Sequence, residues 1–261
     1  MFTDFFHAVQ AERLKTRRSL AAWLVVVGAF FTPAIVIAAR LVHHDQLETI
    51  YRNDQFWAVH WRNCWESMVL FFLPMGTILA TSLIVQLEVK NNAWKQVHCL
   101  PLTVSTIFFS KLLIILAMML QLFVLFNLGV YLSAILPCLL VGGVPYPQAP
   151  FPIWKFLPEN GFYILDCLPI VALQYLLSLR FKNFMVPIGI GFSLWVAALA
   201  ALSWKFGYTI PYAYCMLDYL KDRPGVRVVR PEVNIHLFAL GYFILVTLVS
   251  YFLFATRSEK G

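Results

Sequence analysis

Residues 112 to 140 read LLIILAMMLQLFVLFNLGVYLSAILPCLL, a run without a single charged side chain. A run of about 20 apolar residues is enough to cross a bilayer as a helix. Every backbone amide in the hydrocarbon region must be paired internally, so the spanning options are a helix or a closed barrel. The run shows no alternation of apolar and polar residues, which excludes a barrel strand and leaves a helix.

The same reading extends outward from this run. Hydrophobic residues make up 61% of the 261 and charged residues 13%, with a mean hydropathy of +0.74, far from the balance of a soluble domain. Six runs reach span length: about 20–39, 67–87, 112–140, 161–179, 184–204 and 235–256. The expected fold is all-α: a polytopic membrane protein with six transmembrane helices forming a single transmembrane domain over residues 1–261. The third run exceeds the bilayer thickness, so a tilt or a break near Pro137 is expected before Gly142-Gly143. The first 40 residues do not fit a cleaved signal peptide, because the polar lead is long and the apolar run is span-length.

Charge sets the orientation. Arg13, Lys15, Arg17, Arg18, Lys90, Lys95, Lys111, Arg180, Lys182, Arg257 and Lys260 fall on one side, with Asp4, Glu12, Glu88 and Glu259. On the other side nine basic residues meet nine acids. Lys and Arg concentrate in cytosolic segments, so both termini are placed in the cytosol. In a chain of this kind the basic excess marks orientation and attraction to anionic headgroups, and no nucleic-acid partner is expected.

Two polar segments on the cytosolic side are amphipathic. Between runs two and three lies Glu88-Val-Lys-Asn-Asn-Ala-Trp-Lys-Gln-Val-His-Cys-Leu-Pro101. As a helix it gathers Val89, Ala93, Val97 and Leu100 on one side and turns Asn91, Asn92 and Lys95 away from them. Pro101 ends it, and Thr103 or Ser105 can cap the next helix. Such a helix either rests on headgroups, anchored by Trp94, or offers a docking surface to a cytosolic partner. At the N-terminus Phe2, Phe5, Phe6 and Val9 recur at helical spacing ahead of Arg13, Lys15, Arg17 and Arg18, an interfacial amphipathic helix anchored to membrane lipid on the inner leaflet.

No catalytic pattern is present. There is no HExxH, no G-x-S-x-G and no phosphate-binding glycine loop, so neither catalysis nor nucleotide binding is expected of this chain. His43, His44, Asp45 and His60 are ligand types for zinc or copper, but their spacing defines no geometry, and no metal site is assigned there. Cys64, Cys99, Cys138, Cys167 and Cys215 form no CxxC pair and read as buried thiols. Gln86, Gln121, Asn127, Gln174 and His236 fit interhelical hydrogen bonds. The outer segment 205–234 is long and aromatic enough to re-enter the membrane rim.

Glu12 and Lys15 ahead of the first run, then Glu88, Trp94, Leu100-Pro101 and Lys111 around the second polar segment, make the chain resemble permease subunits of type-2 ATP-binding-cassette transporters. The resemblance is to the compact six-span group that includes bacitracin- and lantibiotic-resistance permeases. The basic residue that often follows the proline turn is absent until Lys111. The resemblance implies a coupling helix between spans two and three. Glu88, Asn91, Asn92, Trp94, Lys95, Leu100 and Pro101 would then meet a cytosolic ATPase subunit, which holds the ATP and Mg, and this chain itself would carry no cofactor. It further implies a second permease copy or paralogue and export of a peptide, lipid-linked or other amphiphilic substrate. The competing expectation is a non-transporting sensor or immunity protein that binds its ligand through the outer loops.

Overall fold

The computed structural model describes residues 2–90, 102–221, 223 and 233–258. The regular elements are α1 (Phe2–Thr16), α2 (Leu20–Val42), α3 (Leu47–Tyr51), α4 (Phe56–Ser67), α5 (Leu73–Lys90), α6 (Val104–Leu140), α7 (Ile153–Arg180), α8 (Met185–Ala201), α9 (Tyr214–Leu220) and α10 (Ile235–Ser258). No strand occurs among the described residues.

Among the described residues, five helical stretches are long and apolar enough to cross a membrane: Leu20–Val42, Phe56–Leu87, Val104–Leu140, Ile153–Arg180 and Ile235–Thr256. The run expected at 184–204 forms α8, Met185–Ala201, which at 17 residues is shorter than these. The other departures from the expected boundaries have one cause. Apolar content measures what lipid tolerates, whereas a helix continues while its amides are paired.

Residues 40–66, expected as a loop, are mostly helical. α4 joins α5 through one wide π turn at Met68–Phe72, so the second crossing begins at Phe56 rather than at residue 67. Trp57, Trp61 and Trp65 recur every four residues along α4 and are all buried. Trp61 stacks on Phe156 with centroids 4.0 Å apart, and Trp65 lies against Phe126 and Tyr163. Inside the π turn, the Trp195 indole N–H donates to Leu70 O at 2.9 Å, which ties α8 to this kink.

α6 starts at Val104, ahead of the apolar run, with Thr103, one of the two expected caps, accepting from the Thr106 amide. It does not break at Pro137 but runs to Leu140. α7 begins at Ile153 and passes through Pro158 and Pro169. α2 packs along α6, α10 along α7, and α5 against both α2 and α7. The α2–α6 contact is close because Gly129 has no side chain: a Cβ there would sit 2.8 Å from Pro33 Cγ.

Candidate functional site

The two ends of the bundle carry different chemistry. The proximal end is where α1 finishes, α5 ends and α6 begins. α1 packs against α6, burying Ala8, Glu12 and Thr16, while Phe6, Arg13, Lys15, Arg17 and Arg18 remain exposed and Phe5 is half-buried. Phe2 opens this helix. The expected interfacial helix is therefore present as a helix, with its basic residues and Phe6 outward and an acidic residue inward.

That acidic residue is the centre of the proximal end. Glu12 Oε2 accepts from Lys111 Nζ at 2.8 Å and Oε1 from Lys15 Nζ at 2.6 Å. Lys111 is only 1% exposed, although it lies two turns inside the start of α6. Burial by itself would raise the Glu12 carboxyl, but the ammonium groups of Lys111 and Lys15 outweigh it and hold the acid below its ordinary value. The Ser19 hydroxyl then accepts from the Ala22 amide, starting α2 immediately after the Arg17-Arg18 turn. Nearby, the Gln86 amide reaches Phe181 O and Lys182 O, and Ser105 meets Tyr251, so the α7–α8 turn and the end of α10 close the same end.

Of the residues assigned from sequence to the ATPase interface, Asn91, Asn92, Trp94, Lys95, Leu100 and Pro101 lie outside the described residues, and Glu88 falls in the last turn of α5. What the structure does place is the frame on either side of them: α5 to Lys90, then the Thr103 cap and the Lys111–Glu12 pair.

A family model described as ABC-2 family transporter protein matches residues 8–198, well over half of the chain. The chain belongs to this family. No curated protein and no solved structure gives a significant match. An ABC-2 permease is a multi-pass membrane subunit, and the family implies a partner ATP-binding-cassette ATPase. The match covers α1 from residue 8, the Glu12–Lys111 contact and the segment between α5 and α6, and it stops short of α9 and α10.

Midway along the permease, the polar side chains expected to bridge helices do so with one exception. Gln174 donates to Ser82, and Asn127 and Asn160 bond one another reciprocally. Gln121 instead faces outward. An apolar cleft of about 290 Å³ opens between α2, α5 and α6, with Leu24, Gly28, Phe31, Met75 and Leu122 in its walls.

At the distal end His60 does not join His43 and His44. It is buried, its Nδ1 accepting from Arg40 Nη2 at 2.9 Å while its Nε2–H donates to Val130 O at 3.0 Å. Arg40 also donates to Tyr51 Oη and Ser133 O and lies over the Tyr51 and Phe56 rings. His43 turns to Ala39 O instead.

Residues 211–220, in the segment after α8, pack into the bundle. Tyr212, Tyr214, Cys215 and Met216 are buried, and Tyr212 Oη reaches Gln174 Oε1 at 3.3 Å, deep in α7. Above it, Arg223 forms a two-point pair with Glu66, at 2.8 and 2.7 Å. Sequence reasoning named Glu12, Lys15 and Lys111 but not their contact. The grouping of Asp166, Asp218 and His236 was missed altogether. The available signal was an aspartate within an apolar run.

Proposed function

We propose that this chain is the membrane-spanning permease subunit of an ATP-driven exporter, in which residues 88–101 form a coupling helix seated on a separate ATPase. Both termini and that helix lie in the cytosol of a bacterial inner membrane. α8 makes the fifth of six crossings: its 17 residues span about 25 Å at 1.5 Å per residue, slightly less than the bilayer core. Two permease copies, or one copy and a paralogue, assemble with two ATPases.

The observation that carries this reading is the Glu12–Lys111 pair within a chain of the ABC-2 family. The proposed coupling helix leaves α5 and returns into α6, and two turns into α6 the buried ammonium holds α1. A push on residues 88–101 therefore displaces α5, α6 and α1 together instead of bending one loop. Packed helices respond to such displacement by switching between discrete arrangements, which is how nucleotide-driven closure would reach the membrane half. The polar face of Asn91, Asn92 and Lys95 contacts the ATPase, with Trp94 as a rigid anchor of the kind that dominates interfaces. The apolar α2–α5–α6 cleft supports an amphiphilic cargo that enters from the bilayer.

Export measured in cells or proteoliposomes tests this. Trp94→Ala and Asn92→Arg should lower transport strongly while membrane insertion and yield stay unchanged. Unaltered export by both variants would refute the docking role.

A further inference from the structure

Three elements meet just inside the distal end: Asp166 from α7, Asp218 from α9 and His236 from the first turn of α10. His236 Nδ1 lies 2.8 Å from Asp166 Oδ1, and its Nε2 lies 3.6 Å from Asp218 Oδ1. One candidate ligand atom from each residue falls within 4.8 Å of the other two. Asp166 is fully buried, and its second oxygen, Oδ2, has no hydrogen-bond partner. Lys221 pairs with Asp218 from the protein surface, and Phe162 stacks on the His236 ring.

Two features of this group call for a ligand. Two carboxylates against one ammonium leave a negative charge in a largely water-excluded place, and a buried charge is kept only when something compensates it. A proton on His236, or on Asp166 itself, would balance the charge but would leave Asp166 Oδ2 without a hydrogen-bond partner, because the imidazole already faces Oδ1. A cation that draws on the Asp166 carboxylate answers both needs. Two carboxylates and one imidazole form a ligand set for first-row divalent ions such as zinc, cobalt or manganese, with water completing the shell. An ion takes only one nitrogen of the His236 ring, so the 2.8 Å contact through Nδ1 and the 3.6 Å contact through Nε2 are not both ligand–ligand edges; with one atom from each residue the set lies within 4.8 Å, and binding draws the three toward the roughly 3–3.5 Å spacing that metal–ligand distances near 2.0–2.2 Å require.

We infer that Asp166, Asp218 and His236 form a binding site for a divalent transition-metal ion that ties α9 to α7 and α10. Asp218 and His236 lie beyond residue 198, outside the region that the family model matches. This site therefore stands apart from the ATPase coupling proposed for the proximal end. An ion there would stitch together three elements far apart in sequence, so its binding is read by affinity and stability, without any transport assay.

The test uses the purified full chain in detergent micelles, stripped with a chelator and titrated with Co²⁺ by visible absorption and with Zn²⁺ by calorimetry. One ion per chain is expected, with Zn²⁺ displacing Co²⁺ and raising the unfolding temperature. Asp166→Asn and His236→Ala should each weaken Zn²⁺ binding more than about tenfold, with Glu48→Gln, an exposed acid on α3, unchanged. Should either variant fail to fold, Asp218→Asn and the wild-type stoichiometry decide. Absence of saturable binding to the wild-type chain would overturn the site, as would full affinity in folded Asp166→Asn and His236→Ala.

Discussion

Replacing Lys111 with Met isolates the contact on which the proximal end depends. Met follows the lysine stem closely in shape, so the buried volume is kept and the change is nearly pure charge removal. The Lys111 side chain is about 2% and that of Glu12 about 9% exposed, with a 2.8 Å contact between them. Removing one member of a buried pair costs about 3–5 kcal/mol because the other charge is stranded. Here Lys15 stays against Glu12 Oε1 with a partly exposed side chain, so the cost falls to the bottom of that range or just below it, about 2–3 kcal/mol. At 1.4 kcal/mol per factor of ten, the folded-to-unfolded ratio should fall by roughly 30- to 150-fold. The assay is reversible unfolding in mixed micelles of a mild detergent and dodecyl sulfate, followed by circular dichroism. Glu12→Leu/Lys111→Met removes both charges and should be more stable than Lys111→Met alone, since the stranded carboxylate is gone. Wild-type stability in Lys111→Met, or a double variant whose loss equals the sum of the two single losses, would refute the buried pair.

Two other outcomes follow from the same coordinates. Because folding lowers the Glu12 acid below its unfolded value, its contribution is present at neutral pH and down to the ordinary carboxylate range. It is then lost as pH falls further, through the folded value. Glu12→Gln should therefore flatten the acid limb of the stability–pH curve without altering its slope above about pH 6, as unfolding midpoints across pH would report. Gly129→Ala would place a methyl 2.8 Å from the rigid Pro33 ring and should destabilise by about 1–3 kcal/mol. Gly76→Ala, whose nearest new contact is at 4.0 Å, should be neutral or slightly stabilising in the same assay.

The helical class was legible because hydropathy and backbone pairing act together over any run such as 112–140. Helix ends were less so. α4 escaped notice because His60, Arg62, Asn63 and Glu66 interrupt its apolar count, although Trp57, Trp61 and Trp65 mark a buried stripe at four-residue spacing. Thr103 as a cap was readable, since capping is a local event. Long-range contacts were not. Glu12 and Lys111 stand 99 positions apart, and Asp166 and His236 stand 70 apart, so no spacing rule connects them. The burial of the aromatics after α8, and the hydrogen bond from Tyr212 to Gln174, depend on a packing angle that no local pattern encodes.

Transport by this route requires that residues 88–101 receive work from an ATPase. The most direct measurement places a photo-crosslinking amino acid at position 94 and another at the exposed Trp154, in cells that also express the cognate ATPase subunit. An ATPase adduct is expected from position 94, altered by trapping the nucleotide-bound state, and none from position 154. Labelling of position 94 by membrane-impermeant reagents from outside intact cells, or the lack of any ATPase adduct there, would contradict it.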